Sequence, residues 1–167
     1  MPGRLQDFLA QDHRRLDGLL RRALDHRGRV DGGAYEELRR GLLRHIAMEE
    51  KVLLPALRRA RGDASAVEKQ LHRDHEALAV LLVPPPEAES VSALRNLLEL
   101  HNPLEEGPGG FYEAAEQLGA QAEELLERVQ AIPPVRVAPH SGAPVVRRRI
   151  AEALRAALSD RVAPPGR

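Results

Sequence analysis

The sequence predicts an all-α protein: an up-down-up-down four-helix bundle followed by a C-terminal accessory helix. Hydrophobic residues make up 43% of the chain but aromatics only 2%, so Leu and Ala, both good helix formers, carry the apolar content. Apolar positions recur every three to four residues over long stretches, and few β-branched runs alternate with period two. Glycine and proline fall where short turns would join antiparallel helices.

The first helix is expected from about Leu5 to Asp25, with Leu5, Leu9, His13, Leu16, Leu20 and Ala23 on one stripe. Gly28, Gly32 and Gly33 mark the turn after it. The second helix is expected over residues 34–60, and Leu38, Leu42, His45, Glu49, Val52 and Ala56 share its inner face. Gly62-Asp63 closes it. A third helix runs to about Val83 through Leu71, His75, Leu78 and Leu82, and Pro84-Pro85-Pro86 stops it. The fourth begins near Glu87 and carries Leu94, Leu97, Leu98 and His101. Asn102-Pro103 and Gly107-Pro108-Gly109-Gly110 are expected to interrupt it before it resumes from Phe111 to about Val129. The domain plan is therefore a bundle over residues 1–132, a proline-containing linker over 133–143 and a basic amphipathic helix and tail over 144–167.

Charged residues are 30% of the chain and cancel to a formal net charge of zero, which argues against nucleic acid as a partner. The balance is uneven: from Pro133 onward, seven arginines face only Glu152 and Asp160. No span of about 20 apolar residues suggests a transmembrane helix, and a cytoplasmic location is the expectation. The chain has no cysteine, which excludes disulfides and thiolate metal sites, so any metal must be held by nitrogen and oxygen.

A repeat runs through the four helices. Asp12-His13-Arg14-Arg15-Leu16 matches Asp74-His75-Glu76-Ala77-Leu78, and His45-x-x-x-Glu49-Glu50 matches His101-x-x-x-Glu105-Glu106. These histidines and glutamates sit on the stripes that face the core. Buried carboxylates without partners are too costly to tolerate, and two facing one another need protons or cations to neutralise them, which a pair of divalent metal ions would supply. In His-x-x-x-Glu the two side chains lie one turn apart on one face and can reach one metal cluster. Imidazole with carboxylate suits iron, manganese or zinc.

The doubled pattern of a lone histidine followed by His-x-x-x-Glu resembles the hemerythrin-like family, or HHE cation-binding domain, over residues 5–130. That resemblance implies two non-haem iron ions bridged by carboxylates. Carried over by motif, the ligands are His13, His45, Glu49, His75, His101 and Glu105, with Glu106 as the alternative to Glu105. His72 is a further candidate, because an i, i+3 pair with His75 can share a face. Pro103, between His101 and Glu105, is where the fourth helix departs from the simple pattern. Tyr35 and Tyr112 could approach such a site, with packing as their simpler role. His26 and His140 are not expected to bind metal.

The function this implies is binding or sensing of a small ligand such as dioxygen or nitric oxide. The alternative is a di-iron enzyme or repair factor acting in peroxide or nitric oxide reduction, or in iron delivery to damaged iron–sulfur clusters. Glu50 and Glu106 are the nearest acid–base groups, each turned about 100° from the metal. The tail helix, with an apolar stripe from Val146 to Leu158, is expected to pack on the bundle or to support a homodimer.

Overall fold

The computed structural model describes residues 3–165, and no strand occurs among them beyond one isolated bridge between Leu24 and Val30. Helix α1 spans Arg4–Ala23, α2 spans Gly32–Met48, a π-helical turn spans Glu49–Leu53, and α3 continues as Leu54–Arg61. Then come α4 (Ala66–Leu81), α5 (Ala88–Glu106), α6 (Phe111–Glu116), α7 (Ala120–Gln130) and α8 (Pro144–Leu158).

The helix starts follow capping chemistry. Asp31 accepts from the Ala34 amide at 2.9 Å, and Ser65 accepts from Glu68 at 3.2 Å. Glu87 and Ser90 form a capping box on α5. Helix α1 lacks a local side-chain cap. Glu116 of α6 supplies one from afar, accepting from the amides of Leu5 and Gln6 at 3.1 Å each.

Two apolar clusters hold the helices, and the polar residues of the repeat lie between them. One cluster takes Leu16, Leu19 and Leu20 of α1, Leu38 and Leu42 of α2, Leu78 and Leu81 of α4 and Leu94 and Leu97 of α5, with Leu24 and Leu82 just beyond their helices. The other takes Leu5 and Leu9 of α1, Val52 and Leu53 of the π turn, Leu71 of α4, and Leu104 of α5, closed by Phe111 and α7. Helices α1 and α4 thus run from the second cluster to the first, and α2 and α5 run the other way.

The second helical segment is one rod with a π turn inside it, a feature the hydrophobic pattern did not reveal. Pro55 has no N–H to return to the carbonyl one turn back, and the adjoining wider turn absorbs that loss: Leu54 N–H reaches the Glu49 carbonyl. The interruption expected at Asn102-Pro103 does not occur. Helix α5 continues through Pro103 to Glu106, so His101 and Glu105 keep their one-turn spacing. The break falls instead at Gly107–Gly110. Here Gly109 has φ 71°, and a Cβ on Gly110 would lie within 2.6–3.0 Å of three backbone oxygens, so only glycine fits.

After α7 the chain crosses back over α2. Arg39 donates to the Ala138 carbonyl at 2.7 Å, and Arg44 donates to that of Ile132 at 2.8 Å. Helix α8 then lies along α4 with Ala157 fully buried and Ile150, Ala153 and Leu154 against the first cluster. Among the described residues no helix is long and apolar enough to cross a membrane.

Candidate metal centre

Six side chains of the repeat meet in the polar layer between the two clusters. His13, His45, Glu49, His75, His101 and Glu105 are all at most 7% exposed. They form two groups of four, His13-His45-Glu49-Glu105 and Glu49-His75-His101-Glu105, and the donor atoms of each lie within 4.8 Å of one another. Both glutamates belong to both groups. Glu49 turns Oε1 toward His45 Nε2 at 3.2 Å and Oε2 toward His75 Nε2 at 3.0 Å. Glu105 turns Oε2 toward His13 Nε2 at 3.2 Å and Oε1 toward His101 Nε2 at 3.0 Å.

Each histidine presents Nε2 inward and gives its other nitrogen to a carboxylate. His45 Nδ1 lies 2.8 Å from Asp12, His101 Nδ1 lies 3.2 Å from Asp74, and His75 Nδ1 lies 2.7 Å from Glu50. His13 Nδ1 meets Glu106. An ionised carboxylate only accepts, so each Nδ1 carries the proton and Nε2 is the nitrogen left for a metal. The repeat therefore encodes two layers: the residue before each lone histidine and the glutamate after each His-x-x-x-Glu orient the rings. The positions of Glu50 and Glu106 agree with the rotation away from the metal read from the sequence. Glu105, not Glu106, points inward.

His72 is not brought to this layer. Its side chain is 57% exposed, and Nδ1 lies 3.0 Å from Glu50, because one residue fewer than a full turn rotates it off the inner face of α4. His140 pairs with Glu36 beside α2, far from the centre in the fold.

Tyr112 was the residue undervalued by sequence pattern. Fully buried on α6, it places its hydroxyl 2.9 Å from His13 Nε2 and 3.0 Å from His45 Nε2. It donates to Glu49 Oε1 at 2.6 Å and lies 3.3 Å from Glu105 Oε2. The glycine turn after α5 is what brings it back to the layer, seven residues after Glu105. Arg161 was equally unforeseen: from just beyond α8 it pairs with buried Asp74 at 2.7 and 2.9 Å.

This crowding shifts the titration of the groups in the layer. Burial alone would discharge the His13 ring, but Glu105 and Glu106 outweigh it and raise its pKa to about 10. Against the same cost of burial, His45 is raised by Glu49 and Asp12, His75 by Glu105, Glu49 and Glu50, and His101 by Glu105 and Asp74. Burial and the Glu105 charge push Glu49 up, yet His45 and His75 pull it down to about 2. Burial, then the charges of Glu105 and Glu49, hold the Tyr112 phenol well above 10.

The donors fit a metal. Glu49 Oε2, Glu105 Oε1 and His75 Nε2 are buried and 3.0 Å from a ring nitrogen or carboxylate of the His75-His101 group, yet none of the three makes a well-aligned hydrogen bond. Such orphaned atoms are rare in folded proteins and need an explanation. A cation among them supplies it.

The family model described as the hemerythrin HHE cation binding domain matches residues 4–108. The chain belongs to that family. The search of curated proteins and the search of solved structures each found no match. The matched segment of this hemerythrin-family chain contains all six inward-facing residues and their four orienting carboxylates, but neither Tyr112 nor Arg161.

Proposed function

We propose that this hemerythrin-like protein holds two non-haem iron ions in an up-down-up-down four-helix bundle and binds a small ligand such as dioxygen or nitric oxide there. The observation that carries it is the sharing of Glu49 and Glu105 between two histidine pairs, with unpartnered oxygen and nitrogen atoms turned inward. The alternating sense in which the helices cross the two apolar clusters supports the bundle topology. His13 and His45 would hold one ion, His75 and His101 the other, and the two glutamates would bridge them. Bound iron would supply a redox-active centre for the ligand.

A cavity of about 510 Å³ supports access to the centre. It opens between α1, α2 and α5, reaches His13, His45 and His101, and has walls of Leu16, Leu20 and Leu42. Apolar walls suit a neutral diatomic molecule better than an ion. Arg21 and Arg95 also line it.

Binding is favoured over catalysis because the nearest acids are committed elsewhere. Glu50 and Glu106 both hold ring nitrogens, the placement of carboxylates that orient ligands.

Elemental analysis of protein purified without chelators tests the proposal, together with electronic spectra of the reduced protein before and after dioxygen or nitric oxide. About two irons per chain and a ligand-dependent spectrum are expected. Zinc or manganese in the same amount, or no metal after anaerobic ferrous reconstitution, would overturn the di-iron reading.

A further inference from the structure

We propose that Tyr112 is itself a metal ligand, a phenolate oxygen on the ion held by His13 and His45; this rests on the metal-site reading above. The hydroxyl does more than satisfy one neighbour. It lies 2.9 and 3.0 Å from the two Nε2 atoms and 2.6 and 3.3 Å from one oxygen of each glutamate. With metal–donor bonds of about 2.1 Å, adjacent corners of an octahedron are separated by √2 times that length, about 3.0 Å. Each corner of an octahedron has four such neighbours. Tyr112 stands close to that distance, 2.6–3.3 Å, from all four donors of its group, so one oxygen faces every atom that would surround the ion.

The other group lacks such a residue. Three of its atoms make no well-aligned hydrogen bond, whereas the tyrosine oxygen occupies the inner side of the His13-His45 group. Local structure holds Tyr112 in place. The chain turns tightly at Gly107–Gly110, where Gly110 has no room for a Cβ, and Phe111 and Ala115 anchor α6 in the second apolar cluster. On metal binding the phenol O–H bond is exchanged for an O–metal bond, and the proton leaves to solvent with those displaced from the imidazoles. The centre becomes asymmetric: five protein donors on one ion and four on the other.

The chain has only two tyrosines, and Tyr35 packs in the first apolar cluster, so the test is clean. Ferrous-reconstituted protein, oxidised in air, should show a visible phenolate-to-iron(III) charge-transfer band. Excitation in that band should enhance tyrosinate ring modes in resonance Raman, and these should shift when the protein carries ring-deuterated tyrosine. Tyr35→Phe should keep the band, and Tyr112→Phe should lose it while retaining about two irons per chain. Two irons without tyrosinate modes in the unaltered protein would overturn the tyrosine assignment and leave the metal site standing. No iron in the unaltered protein would overturn both. The labelled unaltered protein decides the matter even where Tyr112→Phe does not fold.

Discussion

The two halves of the centre come from one repeated pattern, yet they are supported differently. In the His13-His45 half, the carboxylate behind His45 is Asp12, 12% exposed and paired with Arg15 one turn along its own helix. In the His75-His101 half, the carboxylate behind His101 is Asp74, fully buried and held by Gln70 and by Arg161 from the far end of the chain. Tyr112 fills the inner side of the first half, and the second keeps unpartnered atoms. Arg15 and Gln70 lie inside the segment matched by the family, and Tyr112 and Arg161 lie outside it. A doubled metal motif thus makes two unlike positions through the residues around it.

The strongest way to break the comparison is to remove what the halves share. Glu49→Gln or Glu105→Gln should empty both positions together, taking metal content from about two ions per chain toward none. Retention of two tightly bound ions in either variant, by elemental analysis, would defeat the bridging assignment.

Changing the carboxylates behind the rings should separate the halves. Asp74→Asn should weaken one ion by about 10–100-fold, the usual effect of losing a group that orients a ligand. Asp12→Asn, at a more exposed position, should fall at the low end of that range for the other ion. Chelator competition reads both, and equal losses would erase the distinction drawn here. Arg161→Ala should destabilise the fold by ~2 kcal/mol, below the usual cost of breaking a buried ion pair, because Gln70 and His101 still bond Asp74. Urea unfolding measures it, and the His13-His45 ion should keep its affinity.

The metal-free centre should respond to pH in a defined direction. His13 is raised from 6.5 to about 10, so its contribution to stability is complete below pH 6.5 and is lost as pH rises toward 10. Glu49 is lowered from 4.5 to about 2, so its contribution is complete above pH 4.5 and is lost as pH falls toward 2. The metal-free protein should therefore be most stable between these ranges, near pH 5–6. Metal binding removes protons from the rings, so stabilisation by metal should grow as pH rises over the same span. Urea midpoints at pH 6 and 9, with and without metal, check both trends. The smallest effect is expected at His72: its exposed ring on Glu50 can be replaced by Ala without loss of metal.

Helix positions were legible in the sequence wherever apolar spacing and breaking residues agreed, as at Gly62-Asp63 and the three prolines after Val83, whereas the caps Asp31 and Ser65 emerged only from the structure. Pro103 does not end the helix, because the cost of a proline is local and the burial of His101, Leu104 and Glu105 around it keeps the helix continuous. The π turn at Glu49–Leu53 left no periodic trace, since one extra residue in a turn shifts the stripe by less than its own width.

The sequence by itself determined the helical class, the absence of thiolate chemistry and the doubled set of histidines and glutamates. Those signals are local, carried by residue type and by spacing along one helix. The tertiary structure alone decided that Glu49 and Glu105 are shared, that His72 stays outside, and that Tyr112 and Arg161 reach the centre. Each depends on how far one helix is rotated against another or where a turn sends the chain, and no spacing within a single helix encodes that.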